Sequence, residues 1–159
     1  MPALRTALED AGCTDVVTYI QSGNVALTPP VRAPKALRAW LEKIVAGVAG
    51  FEVPVVLRTR AELERTVASN PYPEAGGSEL HVVFFDEGPG PDALDGLDLD
   101  AFAPEACRLV GRDLYLYLPN GMGRAKLPVA LEKANRRAKT VGTARNWNTV
   151  LKLVDLVQA

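Results

Sequence analysis

The hexapeptide LHVVFF at residues 80–85 constrains the fold of this chain more than any other stretch. It is almost continuously apolar, β-branched or aromatic, and a strand of that kind is covered on both faces, which places it at the centre of a sheet. Amphipathic patterns elsewhere supply the covering layers. Leu37, Trp40, Leu41, Ile44 and Val48 mark one face of a helix closed by Gly47 and Gly50. Met1, Leu4, Leu8 and Ala11 mark an earlier helix, with Gly12 suited to the left-handed residue that ends it. Thr59 followed by Glu62 makes a capping box for a third helix, carrying Leu63 and Val67 and stopped by Asn70-Pro71-Tyr72-Pro73. Residues 128–137, with a proline in the first turn, predict a fourth; Trp147, Val150, Leu151, Val154 and Val157 define the face of a last one.

Further strands are predicted at residues 15–20 and 25–27, divided by Ser22-Gly23-Asn24 as either a tight hairpin or a bulged single strand. Another is predicted at 53–57, where Pro54 favours an edge or first-residue position. Residues 107–110 and 114–118, joined by Gly111-Arg112-Asp113, read as a hairpin. Residues 89–102 read as an acidic linker with at most one helical turn. Strands and helices interleave without a strict strand–helix–strand repeat, so the expected class is α+β: a mixed β-sheet with packed helices.

At 159 residues the chain fits one domain or two small, intimately packed halves. Its composition, 48% hydrophobic and 23% charged, is that of a globular protein, and no apolar run approaches the roughly 20 residues a membrane span needs. The start MPALRTALED carries no signal-peptide pattern, so a cytoplasmic location with no membrane partner is expected. Cys13 and Cys107 stand alone and His81 is the single histidine, a set that predicts core thiols, a satisfied core or sheet-face histidine, and no metal or cofactor site. The net charge of −1 hides an asymmetry. Residues 124–145 hold seven cations against Glu132, a balance of +6, whereas residues 86–105 hold seven acids and no Lys or Arg.

Three segments carry candidate chemistry. In LYLYLPNGMGRAK at 114–126, Gly121 and Gly123 permit backbone N–H groups to converge on an anion, Arg124 supplies a bidentate fork and Lys126 a mobile point charge. The loop has neither the spacing of a Walker A motif nor that of a dinucleotide fingerprint. Its plainer alternative is a strand-to-helix connection with solvated cations. In TARNWN, Arg145 and Asn146 are expected at the start of the last helix, where backbone donors and the helix dipole favour negative charge; the alternative is a simple cap with Trp147 in the core. Gln21, Ser22 and Asn24 offer amide and hydroxyl groups to a ligand, or serve only the geometry of a turn.

DVVTYIQSGNVAL at 15–27, the Asn70-Pro71 turn, RDLYLYLPNGMGRAKL at 112–127 and TARNWNTVLKL at 143–153 together resemble the bacterial family called domain of unknown function 1697. The resemblance implies an intracellular bacterial α+β protein of two related α/β halves, here residues 1–78 and 79–159 forming one compact unit. It brings no substrate, cofactor or catalytic residue. Members of that family usually begin with one more strand and a glycine-rich loop of the Arg-Gly-Ile-Asn type, which this chain lacks. A start placed too far downstream or a true truncation is expected, and an incomplete sheet would expose an edge that invites a homodimer.

The leading expectation is an anion-binding module whose ligand is a nucleotide, a phosphorylated metabolite or nucleic-acid backbone. Nucleic acid gains from the basic block and Trp147, and loses from the overall charge and the absence of a recognised motif. The alternatives are a small enzyme acting on a phosphorylated or nucleotide-like substrate, and a self-association module in which the acidic block of one copy meets the basic block of another. No Ser, Cys or Thr sits in a known nucleophile motif, so no catalytic residue is named.

Overall fold

Leu80–Phe85 (β3) lies inside a four-stranded sheet, as its apolar run requires, with four of its six side chains buried. The computed structural model describes residues 1–21, 23–31, 36–89 and 91–157, which separate into two units: Met1–Leu57 together with the turn of the last helix from Leu153 onward, and Arg58–Lys152.

The first unit begins with a helix, α1 (Pro2–Asp10), followed by Gly12 at φ +95° as the left-handed residue expected there. The next segments, β1 (Thr14–Tyr19) and β2 (Asn24–Thr28), form an antiparallel hairpin, which decides between the two readings of the Ser22-Gly23-Asn24 break. The register slips between Thr14 and Val17, around Asp15 at φ +52°. A second helix, α2 (Leu37–Ala49), ends at Gly50 in the left-handed conformation. Gly47 lies inside α2 and takes no part in closing it. Leu8, Cys13, Val16 and Leu41 form the core, with Trp40 and Ile44 packed against it. The strand expected at 53–57 does not form. Pro54 has no amide to give, and the Val55 amide donates to a Glu42 carboxylate oxygen at 3.0 Å, so the segment has a side-chain partner instead of a ladder.

The second unit opens on the capping box. The Glu62 amide donates to Thr59 Oγ1 at 3.3 Å and the Thr59 amide to Glu62 Oε2 at 2.7 Å, starting α3 (Arg60–Ala68). Asn70 then turns the chain, its Oδ1 accepting from the Tyr72 amide. The remaining strands are β4 (Ala106–Val110), β5 (Asp113–Tyr117) and β6 (Gly142–Asn146), in the spatial order β4-β5-β3-β6. Every described pairing in the molecule is antiparallel, so the class is α+β and the mixed sheet of the sequence reading gives way to antiparallel sheets of two and four strands. The strands do not follow one another through right-handed helical crossovers; β4–β5 is a direct hairpin and β6 returns against the far side of β3.

The register sorts the sheet into two faces. Arg108, Tyr115, Val82 and Arg145 fall in one cross-strand row, and Cys107, Leu116, His81 and Asn146 in the next. Because successive residues alternate, the rows face opposite ways. The face of Tyr115 is covered by α3: the Tyr115 hydroxyl donates to the Thr66 carbonyl at 2.5 Å. The other face is covered by α4 (Leu127–Ala138), whose Leu127 and Leu131 pack on Phe85, Leu114, Leu116 and Leu118. Full burial of each such leucine stabilises by roughly 1.5–3 kcal/mol. The acidic segment is not a plain linker. It makes two short 3-10 turns, Pro91–Leu94 and Leu99–Phe102, and Leu94, Leu97, Leu99 and Phe102 join the same core, so the apolar residues between its acids anchor it. The last helix, α5 (Trp147–Val157), follows β6 directly.

Candidate functional site

The most developed polar arrangement in the second unit lies between α3 and the β4–β5 hairpin. Arg58, just before the capping box, inserts its guanidinium so that Nη2 donates to Asp113 Oδ1 at 2.9 Å and to the Phe85 and Arg112 carbonyls at 2.8 and 3.2 Å. Its Cζ also sits 5.3 Å from the centroid of the Phe84 ring. The second oxygen of Asp113 accepts from Thr66 Oγ1 at 2.6 Å. A parallel pair stands further out, where Arg112 Nη2 donates to Glu62 Oε1 at 2.5 Å and Arg112 Nη1 to the Asp86 carbonyl at 2.8 Å. Glu62 thus serves both the cap of α3 and the ion pair. Burial tends to raise its pKa, but the Thr59 amide and hydroxyl and the Arg112 and Arg58 guanidiniums outweigh that and hold its carboxyl below the usual range.

These groups line a cleft of about 140 Å³ together with Arg65, Ser69 and Tyr115. Burial, with the Asp113 carboxylate in second place, pushes the Tyr115 hydroxyl up to about 12, so it is a neutral donor across the physiological range. Three guanidiniums face two carboxylates here, leaving one positive charge. Arg58 and Arg112 are each fixed by a carboxylate; Arg65, exposed in the last turn of α3, has no carboxylate within ion-pair distance among the described residues.

The residues singled out from the sequence stand elsewhere. Gly121, at φ +81°, precedes the short turn Met122–Arg124 and Gly123 lies within it, while Arg124 and Lys126 are exposed. The loop's helix-terminal donors are already engaged. The amides of Lys126 and Leu127 donate to the Glu105 carboxylate, Leu127 at 2.7 Å, so an internal carboxylate occupies the start of α4. Arg145 belongs to β6 rather than to a helix start, half-buried, with Nη1 donating to Thr143 Oγ1 at 2.6 Å and to the Ala144 carbonyl; burial lowers its pKa. It shares the face of Tyr115, whereas the 121–126 loop feeds α4 on the other face, so the sheet does not bring Arg145 together with Arg124 and Lys126. Asn146 caps α5, its Oδ1 accepting from the Thr149 amide at 2.9 Å. Gln21 is exposed in the hairpin turn, Asn24 is buried with Nδ2 donating to the Tyr19 carbonyl, and Ser22 lies outside the described residues.

His81 is half-buried on the α4 face with Nδ1 unpaired, contrary to the expected satisfied histidine, and burial lowers its pKa. Burial likewise raises both thiols, Cys13 and Cys107, as inert cysteines require. Among the described residues no three His, Cys, Asp or Glu side chains gather as metal ligands, and no helix is long and apolar enough to cross a membrane.

A family model described as "Protein of unknown function (DUF1697)" matches residues 1–115, most of the chain. The chain belongs to the DUF1697 family. All the cleft residues from Arg58 to Tyr115 fall within the part that the DUF1697 model matches, and the 121–126 loop and Arg145 fall after it. No curated protein and no solved structure matches the chain. Sequence reasoning had found Glu62, but only as a cap, and Arg112-Asp113 only as a turn. The signal that would have joined them is the pairing of Glu62 with Arg112, 50 positions apart, which local patterns do not carry.

Proposed function

We propose that the chain is an anion-binding module and that the cleft between α3 and the β4–β5 hairpin is its site. The observation that carries this reading is the arrangement of Arg58, Arg65 and Arg112 around one cleft, two of them immobilised by carboxylates and one left uncommitted. A guanidinium held in place recognises an oxyanion at low entropic cost, and an uncommitted one supplies the bidentate fork. Ser69 and Tyr115 add hydroxyls at the same cleft. This site is preferred to the 121–126 loop because Glu105 already satisfies the amides that a phosphate would have used there.

The experiment is a calorimetric or NMR titration with inorganic pyrophosphate. Arg65→Glu should weaken binding by about tenfold or more, since it reverses one of three positive charges at a fixed site, whereas the double change Arg124→Ala and Lys126→Ala should leave it within twofold. The opposite pattern returns the site to the loop. A second reading, nucleic-acid backbone on α4, draws on the exposure of Lys133, Arg136, Arg137 and Lys139 along that helix. It requires single-stranded oligonucleotide binding that collapses with added salt and with charge reversal on α4.

A further inference from the structure

We infer that the anion taken by this cleft is a mononucleotide whose base lies on the tyrosine pair Tyr72–Tyr117; this rests on the anion-binding reading of the same site. Tyr115 lines the cleft, and Tyr117, two residues on along β5, projects from the same face about 7 Å away. The ring of Tyr72 stacks on that of Tyr117, with centroids 5.6 Å apart and planes inclined by 20°. The two rings are both partly exposed, and the Asn70 turn fixes where Tyr72 stands. A parallel aromatic pair at a surface offers a flat π face of the kind on which nucleobases stack.

Edge strand β4 runs beside this path. Its Arg108 is exposed, lies opposite Tyr115 in the register, and is near enough to Tyr72 for its charge to act on the tyrosine hydroxyl. No carboxylate lies within ion-pair distance of Arg108 among the described residues. Arg65 and Arg112 thus stand at the cleft, at one end of this path, Arg108 follows on the edge strand, and the stacked aromatic rings stand at the other end. A simple oxyanion would use only the first end. A phosphate joined through a ribose to a base would use both ends, the sugar passing exposed Arg108 at the β4 edge, since the Tyr115 ring itself is buried under α3.

The test compares adenosine monophosphate, ribose 5-phosphate and inorganic pyrophosphate by calorimetry on the full chain, with Tyr72→Leu and Tyr72→Phe variants whose folding is checked by thermal melting. The nucleotide should bind about tenfold or more tighter than ribose 5-phosphate. Tyr72→Leu should remove that margin without changing the affinity for ribose 5-phosphate, and Tyr72→Phe should keep it. Equal affinity for the nucleotide and the sugar phosphate in the unaltered chain overturns the nucleotide assignment while leaving the anion site standing. Failure of pyrophosphate and both organic phosphates to bind overturns the two together.

Discussion

Arg58 meets a single carboxylate oxygen of Asp113 twice, through Nη2 at 2.9 Å and Nε at 3.3 Å, where the two side chains keep 7% and 15% of their exposure. A pair so placed is paid for in desolvation, and removing one partner strands the other in a poor solvent. Asp113→Ala is therefore expected to destabilise the fold by about 3–5 kcal/mol, against about 0.3–0.5 kcal/mol for Arg60→Ala, which breaks only the exposed i,i+4 pair with Glu64. Urea unfolding of both variants measures the contrast. Comparable losses would mean that the Arg58–Asp113 pair does not hold α3 to the sheet.

Glu105 caps α4 from a distance of 21 residues, accepting from the Lys126 and Leu127 amides. Glu105→Ala should cost about 1 kcal/mol, the usual worth of an N-terminal cap, and Glu105→Gln should recover part of it because an amide oxygen still accepts. Hydrogen exchange at the Lys126 and Leu127 amides reads this locally. Both should exchange faster in the alanine variant while amides of β3 are unchanged, and unchanged exchange at the two sites would rule out the cap.

Tyr115 makes stability depend on alkali. Burial pushes its hydroxyl up to about 12, above the ordinary tyrosine value of 10, so the folded state keeps its proton where the unfolded state has lost it. The contribution is complete below about pH 10, falls as pH rises from there to about 12, and is gone above. Tyr115→Phe should lose about 1 kcal/mol at neutral pH, with the Thr66 carbonyl left without this donor, and should show a flatter decline over that interval. Denaturant titrations at pH 8 and pH 11 compare the two. A decline of equal steepness in both would assign the alkaline loss to other groups.

The parts of the fold that were legible beforehand are those written in adjacent residues. LHVVFF declared a central strand, Thr59 with Glu62 declared the start of α3, and Gly111-Arg112-Asp113 declared the β4–β5 hairpin. β6 escaped because Gly142–Asn146 has only one side to hide and no bulky apolar residue to do it with; its identity as a strand comes from pairing with β3. Gly142 itself is explained only by its neighbour, since a Cβ there would lie 2.8 Å from the Phe85 ring. The segment 53–57 misled in the opposite sense, being apolar enough for a strand while its Val55 amide had found Glu42. The cleft was invisible for the same reason as β6. Its cations are scattered among loop, helix and turn, and only the fold puts Arg65 and Arg112 beside Tyr115.

The division of α5, with residues to Lys152 in one unit and those from Leu153 in the other, sets an order for synthesis. Arg58–Lys152 is one uninterrupted stretch and can mature as soon as it emerges from the ribosome. Met1–Leu57 emerges earlier, yet the unit it belongs to is whole only when the closing turn of α5 arrives. Residues 1–57 thus wait for a segment about a hundred residues further on, and a chain stalled before Leu153 holds the first unit without its closing turn, an incomplete fold of the kind chaperones attend.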